Sequence, residues 1–364
     1  MIKRILIYDP VPFKGGSKKV MKTILAELPK DIEAWVLSND EESWCESTIN
    51  FVPLFSPHYL EDKTTGLLYF LKQFIYLLSL LWTMIKLKRF TKIIAISGPN
   101  VDFALYLLSE LIHINVIQLI QGNIAKSKVA TFGLLRANKV FYLPSTYQSI
   151  IQALKPHKNN SNIDKTIFTP FVNGINKAKI KPKKAHSQVG LLWAASLLKW
   201  KRVELFIDAI STLNAMDDNA KNYFANICYI EPKTDAYFNI AQVRHIDNVF
   251  WYKDPENLND IRATSSIFIS TSEKEPFGLS ILEAMAAGLA IVIPADDAYW
   301  DQHLTDGYNC IKYNPNDINS LVEALLRLIN NAALLSKIAR QAKNSAQHYC
   351  HVRCYAQILK CIPH

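Results

Sequence analysis

The sequence has no internal repeat, no low-complexity tract, no Asp-x-Asp motif and no paired Cys-x2-Cys knuckles. The last two absences argue against a metal site built from acidic or thiolate ligands, so no metal is expected. Six cysteines are few for 364 residues, and the chain opens directly into an apolar segment. Reduced thiols in the cytoplasm, or at the cytoplasmic face of the inner membrane, are therefore expected.

Acidic residues are scarce in the first half of the chain. Residues 1–180 hold 22 Lys and Arg against 13 Asp and Glu, and the remainder holds 19 of each. The whole net charge of +9 therefore belongs to the first half. Such a surface favours an anionic partner, which is nucleic acid, acidic lipid or a phosphorylated acceptor.

Short apolar runs alternate with longer helical patterns along the chain. Those of strand length in the first half are RILIYD, EAWVLS, KIIAIS, INVIQLIQ and KVFYLP. Those in the second half are VGLLWAAS, NICYI, NVFWY, SIFIST and LAIVIP. This alternation predicts an α/β protein with parallel sheets. A basic segment without apolar periodicity predicts a linker at 173–187 between doubly wound domains at 1–172 and 188–340.

Two glutamates interrupt the apolar run TSEKEPFGLSILEAMAAGLAIVIP, residues 271–294. A buried carboxylate costs free energy unless something pairs with it. Pro276 suits the first position of a helix that Gly288 ends, which puts Glu275 near the N-cap. The helix start then predicts a phosphate site formed by the amides of Phe277, Gly278 and Leu279.

Glu283 falls two helical turns after Pro276 and on the same face. A diphosphate at the helix start would leave this carboxylate beside a group rich in hydroxyls, and a ribose diol fits that position. The alternative is a solvent-facing glutamate in an ordinary amphipathic helix.

The stretch EPFGLSILEAMAAG resembles the E-x7-E motif of retaining GT-B glycosyltransferases of family 4. Other stretches are similar to further family segments, namely YDPVPFKGGSKKVMKTILAEL, FTPFVNGIN, AASLLKWKRVELFIDAI and DGYNCIKYNPNDINSLVEALLRLI. The resemblance implies the GT-B fold, with two Rossmann-like doubly wound domains facing a central cleft. It also implies that a C-terminal helix at 340–364 packs back on the first domain.

The same resemblance implies a role for each matching residue. Glu283 would bind the donor ribose, Glu275 the sugar hydroxyls, and Lys201 would neutralise the leaving phosphates. The catalytic residues would be Glu275, Lys201 and Gln121. The donor-binding residues would be Gly15, Gly16, Ser196, Lys201, Arg202, Glu275, Pro276, Phe277, Gly278, Leu279 and Glu283.

Two departures from the family pattern concern this site. Ala195-Ser196 stands where the family has Gly-Arg, and Lys199 and Arg202 are the candidate replacements for the missing cation. Gln121 stands in the segment where the family often has a histidine, and its amide cannot act as a general base near neutral pH. A front-face route, in which the leaving phosphate takes the acceptor's proton, needs no such base.

Residues 66–89 form the most hydrophobic stretch of the chain. Its uninterrupted part, 73–85, is shorter than the ~20 residues that a membrane span requires. Two interpretations stay open, which are a buried core helix and a helix at the membrane interface flanked by Lys86, Lys88 and Arg89. Near the end of the chain, Cys350, Cys354 and Cys361 predict a packing stripe on one helix.

The resemblance, taken with these observations, implies a metal-independent, retaining hexosyltransferase without a cofactor. Its donor would be a UDP- or GDP-linked sugar, and its acceptor a glycan or lipid-linked molecule of cell-surface polysaccharide or lipopolysaccharide biosynthesis. One alternative is a nucleotide-sugar epimerase or phosphorylase on the same fold. Another is a basic membrane- or nucleic-acid-binding protein with a degenerate donor site, although the aromatic-basic interleaving of a strand-binding groove is not evident.

Overall fold

The computed structural model describes residues 3–45, 49–87, 90–155, 163–184, 186–216, 223–232, 237–240 and 245–362. The chain divides into two compact units. Unit 1 comprises Met1–Gly174 and His351–His364, and unit 2 comprises Ile175–Cys350. Each unit is an α/β layer structure built around a parallel sheet, which confirms the predicted fold class.

Unit 1 contains seven strands within the described residues: β1 (Lys3–Asp9), β2 (Ile32–Ser38), β3 (Asn50–Pro53), β4 (Lys92–Ala95), β5 (Asn115–Ile120), β6 (Lys139–Tyr142) and β7 (Phe168–Pro170). They pair in parallel in the order β3-β2-β1-β4-β5-β6-β7. The helices that precede unit 2 are α1 (Gly16–Leu25), α2 (Glu41–Trp44), α3 (His58–Glu61), α4 (Gly66–Leu87), α5 (Phe103–Ile112), α6 (Lys128–Arg136) and α7 (Tyr147–Leu154).

Unit 2 contains six strands within the described residues: β8 (Val189–Ser196), β9 (Tyr223–Ile230), β10 (Val249–Lys253), β11 (Ile267–Ile269), β12 (Ala290–Pro294) and β13 (Ile311–Tyr313). Their order is β10-β9-β8-β11-β12-β13, again all parallel. Its helices are α8 (Val203–Met216), α9 (Leu258–Thr264), α10 (Leu279–Ala287), α11 (Tyr299–His303), α12 (Ile318–Ile329) and α13 (Ala332–Ala346). Each unit has its own buried hydrophobic core.

All ten strands predicted from the sequence are present, but three strands were missed. The missed strands are β3, β7 and β13, which have four, three and three residues. Each lies at the edge of its sheet and pairs on one side only. A short edge strand lacks the long apolar run of a central strand, and so its sequence carries little signal.

The boundaries between the units differ from the predicted ones. Unit 2 begins at Ile175, so most of the predicted linker belongs to it. The amide of Lys183 donates to the Ala287 carbonyl at 2.8 Å, and that of Lys184 to the Ala263 carbonyl at 2.7 Å. These backbone bonds hold the basic segment along unit 2, which is why a composition typical of a linker misplaced the boundary.

The chain returns to unit 1 at His351, later than the predicted 340. Two short helices, α14 (His351–Cys354) and α15 (Ala356–Cys361), replace the single predicted helix. The predicted cysteine stripe on one helix is therefore wrong, because Cys350 precedes α14 and the other two cysteines end different helices. The Tyr355 hydroxyl fixes the return by donating to the Gly174 carbonyl at 3.0 Å.

Helix α4 covers most of the hydrophobic stretch at 66–89. Its large apolar side chains are exposed, including Leu67 at 84% and Ile85 at 70%. The buried-core interpretation is therefore wrong for this helix. By length and composition α4 is long and apolar enough to cross a membrane, and 33% of its 18-residue apolar window is buried within the protein. Lys88 and Arg89, two of its predicted basic flanks, lie outside the described residues.

Candidate functional site

The turn between β11 and α10 carries four of the eleven residues predicted to bind the donor, which are Glu275 to Gly278. Helix α10 begins at Leu279, not at the predicted Pro276, so Glu275 lies three residues before the N-cap, Gly278. The physical cause is Gly278, which caps the helix in the left-handed region with a φ of 76°. A Cβ on this glycine would come within 2.9 Å of Ile281 Cδ1 and 3.0 Å of Glu275 Cγ.

Lys201 and Glu275, both predicted to be catalytic, form an ion pair in unit 2. The Lys201 Nζ donates to Glu275 Oε2, and both side chains are largely buried. The ammonium also lies 4.0 Å from the centre of the Trp200 ring. A charge-assisted bond and a cation–π contact together fix the position of this ammonium.

The backbone around Lys201 is tied to the turn after β11. The Thr271 hydroxyl donates to the Lys201 carbonyl at 2.8 Å and accepts from the Trp193 indole at 2.9 Å. The amide of Glu273 donates to the Trp200 carbonyl, also at 2.8 Å. These bonds hold the KWK turn after β8 against the turn after β11. Ser196, Lys201 and Glu275 therefore lie at the carboxyl ends of neighbouring strands of the unit 2 sheet.

Arg202, a candidate replacement for the missing arginine, already has three partners. It adopts a left-handed φ of 53°. Its guanidinium donates at 2.5 Å to Glu204 and at 2.5 Å to Glu273, and it also donates to Asn316. Burial lowers the pKa of Arg202, but the bonds to the two glutamates outweigh burial and raise it. The other candidate, Lys199, is exposed.

Glu283 pairs with a residue that the sequence did not suggest. Arg262 Nη2 donates to Glu283 Oε2 at 2.7 Å, and both side chains are almost completely buried. A second guanidinium nitrogen donates to Asn259 at 2.5 Å. Glu283 is therefore not a solvent-facing residue, and the protein supplies a cation for its carboxylate. Its predicted role as a ribose ligand stays a prediction.

A recess open to solvent lies at the carboxyl ends of β11 and β12. Its lining consists of Ser270, Ser272, Glu275, Ile281, Ile293, Pro294, Asp296, Ala298, Trp300 and Asp301. Three of these ten residues are acidic, so the recess offers hydrogen-bond acceptors. Hydroxyl groups, which donate hydrogen bonds, suit such a lining better than phosphates do.

The loop after β12 shapes this recess through a cluster of aromatic rings. The buried Phe277 ring packs 4.7 Å from Tyr299 and 5.2 Å from Trp300, measured between ring centres. The Trp300 indole donates to the Gly278 carbonyl at 3.3 Å.

Burial raises the pKa of Asp296, although the amides of Lys274 and Ala298 donate to its carboxylate and lower it.

The remaining predicted site residues belong to unit 1. Gly15 precedes α1 with an extended backbone, and Gly16 is its first residue. Gln121 follows β5, and its Nε2 is buried without a hydrogen-bond partner among the described residues. Strand β4 separates β1 from β5, so the glycine pair and Gln121 follow strands that are not adjacent.

Lys18, which sequence reasoning passed over, connects the loop after β1 to the sheet. Its buried ammonium donates to Asp40 and lies 3.2 Å from Asp9 Oδ2. It also donates to the Val11 carbonyl at 2.8 Å. One ammonium thus joins two strand ends to the loop that carries Gly15. The KK pair gave no signal of this role, because paired lysines are usually solvated.

The match to a known protein family lies within unit 2. Residues 175–345 match the family model described as glycosyl transferases group 1. The match supports a relationship between this segment and the glycosyl transferases of group 1. It includes every predicted donor residue from Ser196 to Glu283.

Two curated relatives match over shorter segments. A probable sucrose-phosphate synthase of Vicia faba is 28% identical over 126 residues, which cover 34% of this chain and 11% of that protein. The alpha-monoglucosyldiacylglycerol synthase of Acholeplasma laidlawii is 33% identical over 85 residues, which cover 23% of this chain and 21% of that protein. The chain therefore spans only a small part of the length of either relative.

Several solved structures match along nearly the whole chain. Among them is the crystal structure of Anabaena Alr3699/HepE in complex with UDP-glucose, with a TM-score of 0.74 and 15% identity. The alignment covers 99% of both chains. At this identity the likeness concerns the fold, and the fold is GT-B.

Proposed function

We propose that this chain is a retaining glycosyltransferase that moves a sugar from a UDP- or GDP-linked donor to a glycan or lipid-linked acceptor. The observation that carries the proposal is the Lys201–Glu275 pair, where Glu275 lines the recess and follows β11 within the group 1 segment. The UDP-glucose bound to Alr3699/HepE supports a nucleoside-diphosphate donor. The name of the Acholeplasma relative supports a lipid among the acceptors.

The donor diphosphate would compete with Glu275 for the Lys201 ammonium. Negative charge builds on the leaving phosphate as the bond between it and the sugar breaks, and a preorganised cation stabilises that charge. Once Lys201 turns to the phosphate, the Glu275 carboxylate is released to accept hydrogen bonds from sugar hydroxyls in the recess. The amides at the start of α10 would bind the same diphosphate.

Retention of configuration follows from a front-face displacement. The bond between the anomeric carbon and the phosphate oxygen breaks, and the bond to the acceptor oxygen forms on the same face. The acceptor's proton passes to the departing phosphate oxygen, so charge and atoms balance without a protein base. Gln121 would orient the acceptor or the sugar by hydrogen bonding, because an amide does not take up a proton near neutral pH.

We propose that the transfer requires no cofactor besides the nucleotide sugar and no metal ion. Full activity in the presence of a chelator would support this proposal, whereas recovery of lost activity by a divalent cation would contradict it. The proposed location is the cytoplasm, with the acceptor belonging to cell-surface polysaccharide or lipopolysaccharide biosynthesis.

The test of the donor site uses two neighbouring lysines. Titration calorimetry with UDP-, GDP-, ADP- and CMP-linked sugars identifies the donor, and Lys201→Ala should then weaken its binding about tenfold or more. Lys199→Ala is the comparison, because the exposed Lys199 two residues away is the other candidate cation, and it should weaken binding less than Lys201→Ala does. Equal affinities of the two variants would contradict the assignment of Lys201.

A second measurement separates transfer from the alternative reactions on the same fold. The wild type is incubated with the donor identified above, with and without acceptor. Product that forms only with acceptor supports transfer. Conversion of the sugar without acceptor would indicate an epimerase and would contradict the proposal.

A further inference from the structure

Helix α4 of unit 1 has its polar and apolar faces reversed relative to an ordinary surface helix. Its exposed stripe is apolar and follows helical spacing, with Leu67, Phe70, Leu71, Phe74, Leu78, Trp82 and Ile85. Its buried stripe follows the same spacing and holds most of the polar side chains, with Tyr69, Lys72, Gln73, Tyr76, Leu80 and Thr83. A helix on a water-facing surface normally turns its apolar stripe inward.

The buried polar stripe attaches α4 to unit 1 along much of its length. Gln73 accepts from the Ala104 amide at 2.9 Å, and Tyr69 donates to the Asn100 carbonyl at 2.6 Å. Lys72 donates to the Glu61 carbonyl at 3.1 Å. The hydroxyls of Tyr76 and Ser56 lie 2.9 Å apart.

These contacts exclude a spanning orientation for α4 in the folded unit. A transmembrane helix must present apolar side chains on every side that meets lipid. Here the buried stripe carries polar groups that are bonded to α5, to the loop before it and to α3. The helix can therefore expose only its apolar stripe, and it would lie parallel to the surface that this stripe meets.

The charge around α4 indicates the chemistry of that surface. Residues 66–139 contain nine Lys and Arg and two acidic residues, and of these Lys72 and Asp102 are buried. Lys86 lies 4.6 Å from the ring centre of the half-exposed Trp82, at the end of the stripe. A tryptophan with a neighbouring lysine is typical of helices at the boundary between lipid tails and anionic headgroups.

We infer that the exposed stripe of α4 binds the surface of an anionic lipid bilayer and lies in its interface. The apolar side chains would enter the boundary between headgroups and acyl chains, and the surrounding basic residues would attract acidic headgroups. A second copy of the chain is a weaker occupant, because two such basic surfaces repel each other. The inference does not depend on the proposed reaction.

The test is co-sedimentation of the full chain with vesicles of phosphatidylcholine, with and without phosphatidylglycerol. Binding is expected to require phosphatidylglycerol and to weaken as salt is added. The double variant Phe74→Ser, Trp82→Ser should lose at least about tenfold in vesicle affinity. The matched control is Phe250→Ser in unit 2, whose side chain is 47% exposed against 55% for Phe74, and it should bind like the wild type.

Two outcomes would overturn the inference. One is a double variant that binds vesicles as the wild type does while keeping the wild-type circular dichroism spectrum. The other is a wild-type chain that binds no vesicles and that light scattering shows to be a dimer, which the double variant converts to a monomer. Donor affinity, measured without vesicles, should be the same in all variants, so that failure here is distinct from failure of the proposed function.

Discussion

Arg262 and Glu283 form a buried ion pair, in which the guanidinium Nη2 donates to the carboxylate at 2.7 Å. The arginine comes from α9 and the glutamate from α10, so the pair joins two helices of unit 2. A glutamate buried in an apolar helix thus has a protein cation as its partner in the absence of any ligand. Replacing Glu283 consequently affects the folded state as well as the proposed ribose contact.

The first prediction concerns the stability that this pair provides. Glu283→Ala leaves the guanidinium buried without its carboxylate, and we expect the free energy of unfolding to fall by ~3–5 kcal/mol. The double variant Arg262→Met, Glu283→Leu should recover most of that loss, because two apolar side chains need no partner. Urea unfolding of both variants checks this prediction, and a single variant as stable as the wild type would refute it.

The second prediction separates the two parts of the donor. Glu275→Gln removes the carboxylate that holds Lys201, so the ammonium becomes available to a diphosphate. We expect UDP without sugar to bind about fivefold more tightly, equivalent to ~1 kcal/mol. Turnover of the nucleotide sugar should fall at the same time. Calorimetry and a turnover assay measure the two effects, and weaker binding of UDP would show that Glu275 does not compete for Lys201.

The third prediction is a pH dependence of stability that originates at Asp40. Burial raises the pKa of Asp40, but the bonds from Lys18 and Ser43 outweigh burial and lower it below its ordinary value. This contribution to stability is therefore complete above about pH 4 and lost as the pH falls through the lowered value. Asp102 acts in the opposite sense, since burial raises its pKa.

The control for this prediction is Asp40→Asn, which retains the shape of the side chain. The variant should unfold at lower urea concentration than the wild type at neutral pH. Its stability should also change less than that of the wild type as the pH is lowered below about 4. Parallel pH profiles of the two proteins would contradict the assignment to Asp40.

The fourth prediction concerns the backbone at the start of α10. Gly278→Ala puts a Cβ on a residue with a φ of 76°, which costs ~1–2 kcal/mol for an L-residue. The added atom would also press on Glu275 and Ile281. Gly122→Ala is the control, because nothing lies within 4 Å of the added Cβ there. Thermal unfolding should separate the two variants by several degrees.

The sequence was sufficient to predict the two parallel sheets and the elements around β11 and α10. The apolar runs of central strands are long, so they can be recognised from the local sequence without knowing which strands are adjacent. The start of α10 was misplaced, because Pro276 is compatible with a first helical turn while the left-handed Gly278 prevents the helix from extending back to it. A positive φ leaves no pattern in a sequence beyond the glycine itself.

The partners of charged residues could not be predicted. Arg262 is the single basic residue of a seven-residue helix, and nothing in its neighbourhood marks it as the cation for Glu283. Lys18 meets Asp9 and Asp40 only because β1, β2 and α1 bring these positions together. Such pairs depend on tertiary geometry. From the sequence alone, a charged residue is normally predicted to be exposed to solvent.

The return of the chain at His351 has a consequence for how the protein is synthesised. Unit 2 is inserted within unit 1, and the contact of Tyr355 with Gly174 uses a residue that is made after the whole of unit 2. On the ribosome, every strand of the unit 2 sheet emerges before the helices that complete unit 1. Domains fold as units during synthesis. Unit 2 is therefore expected to complete its fold before unit 1, although the strands of unit 1 emerge first. A nascent chain stalled just after Cys350 would carry a complete unit 2 behind an incomplete unit 1.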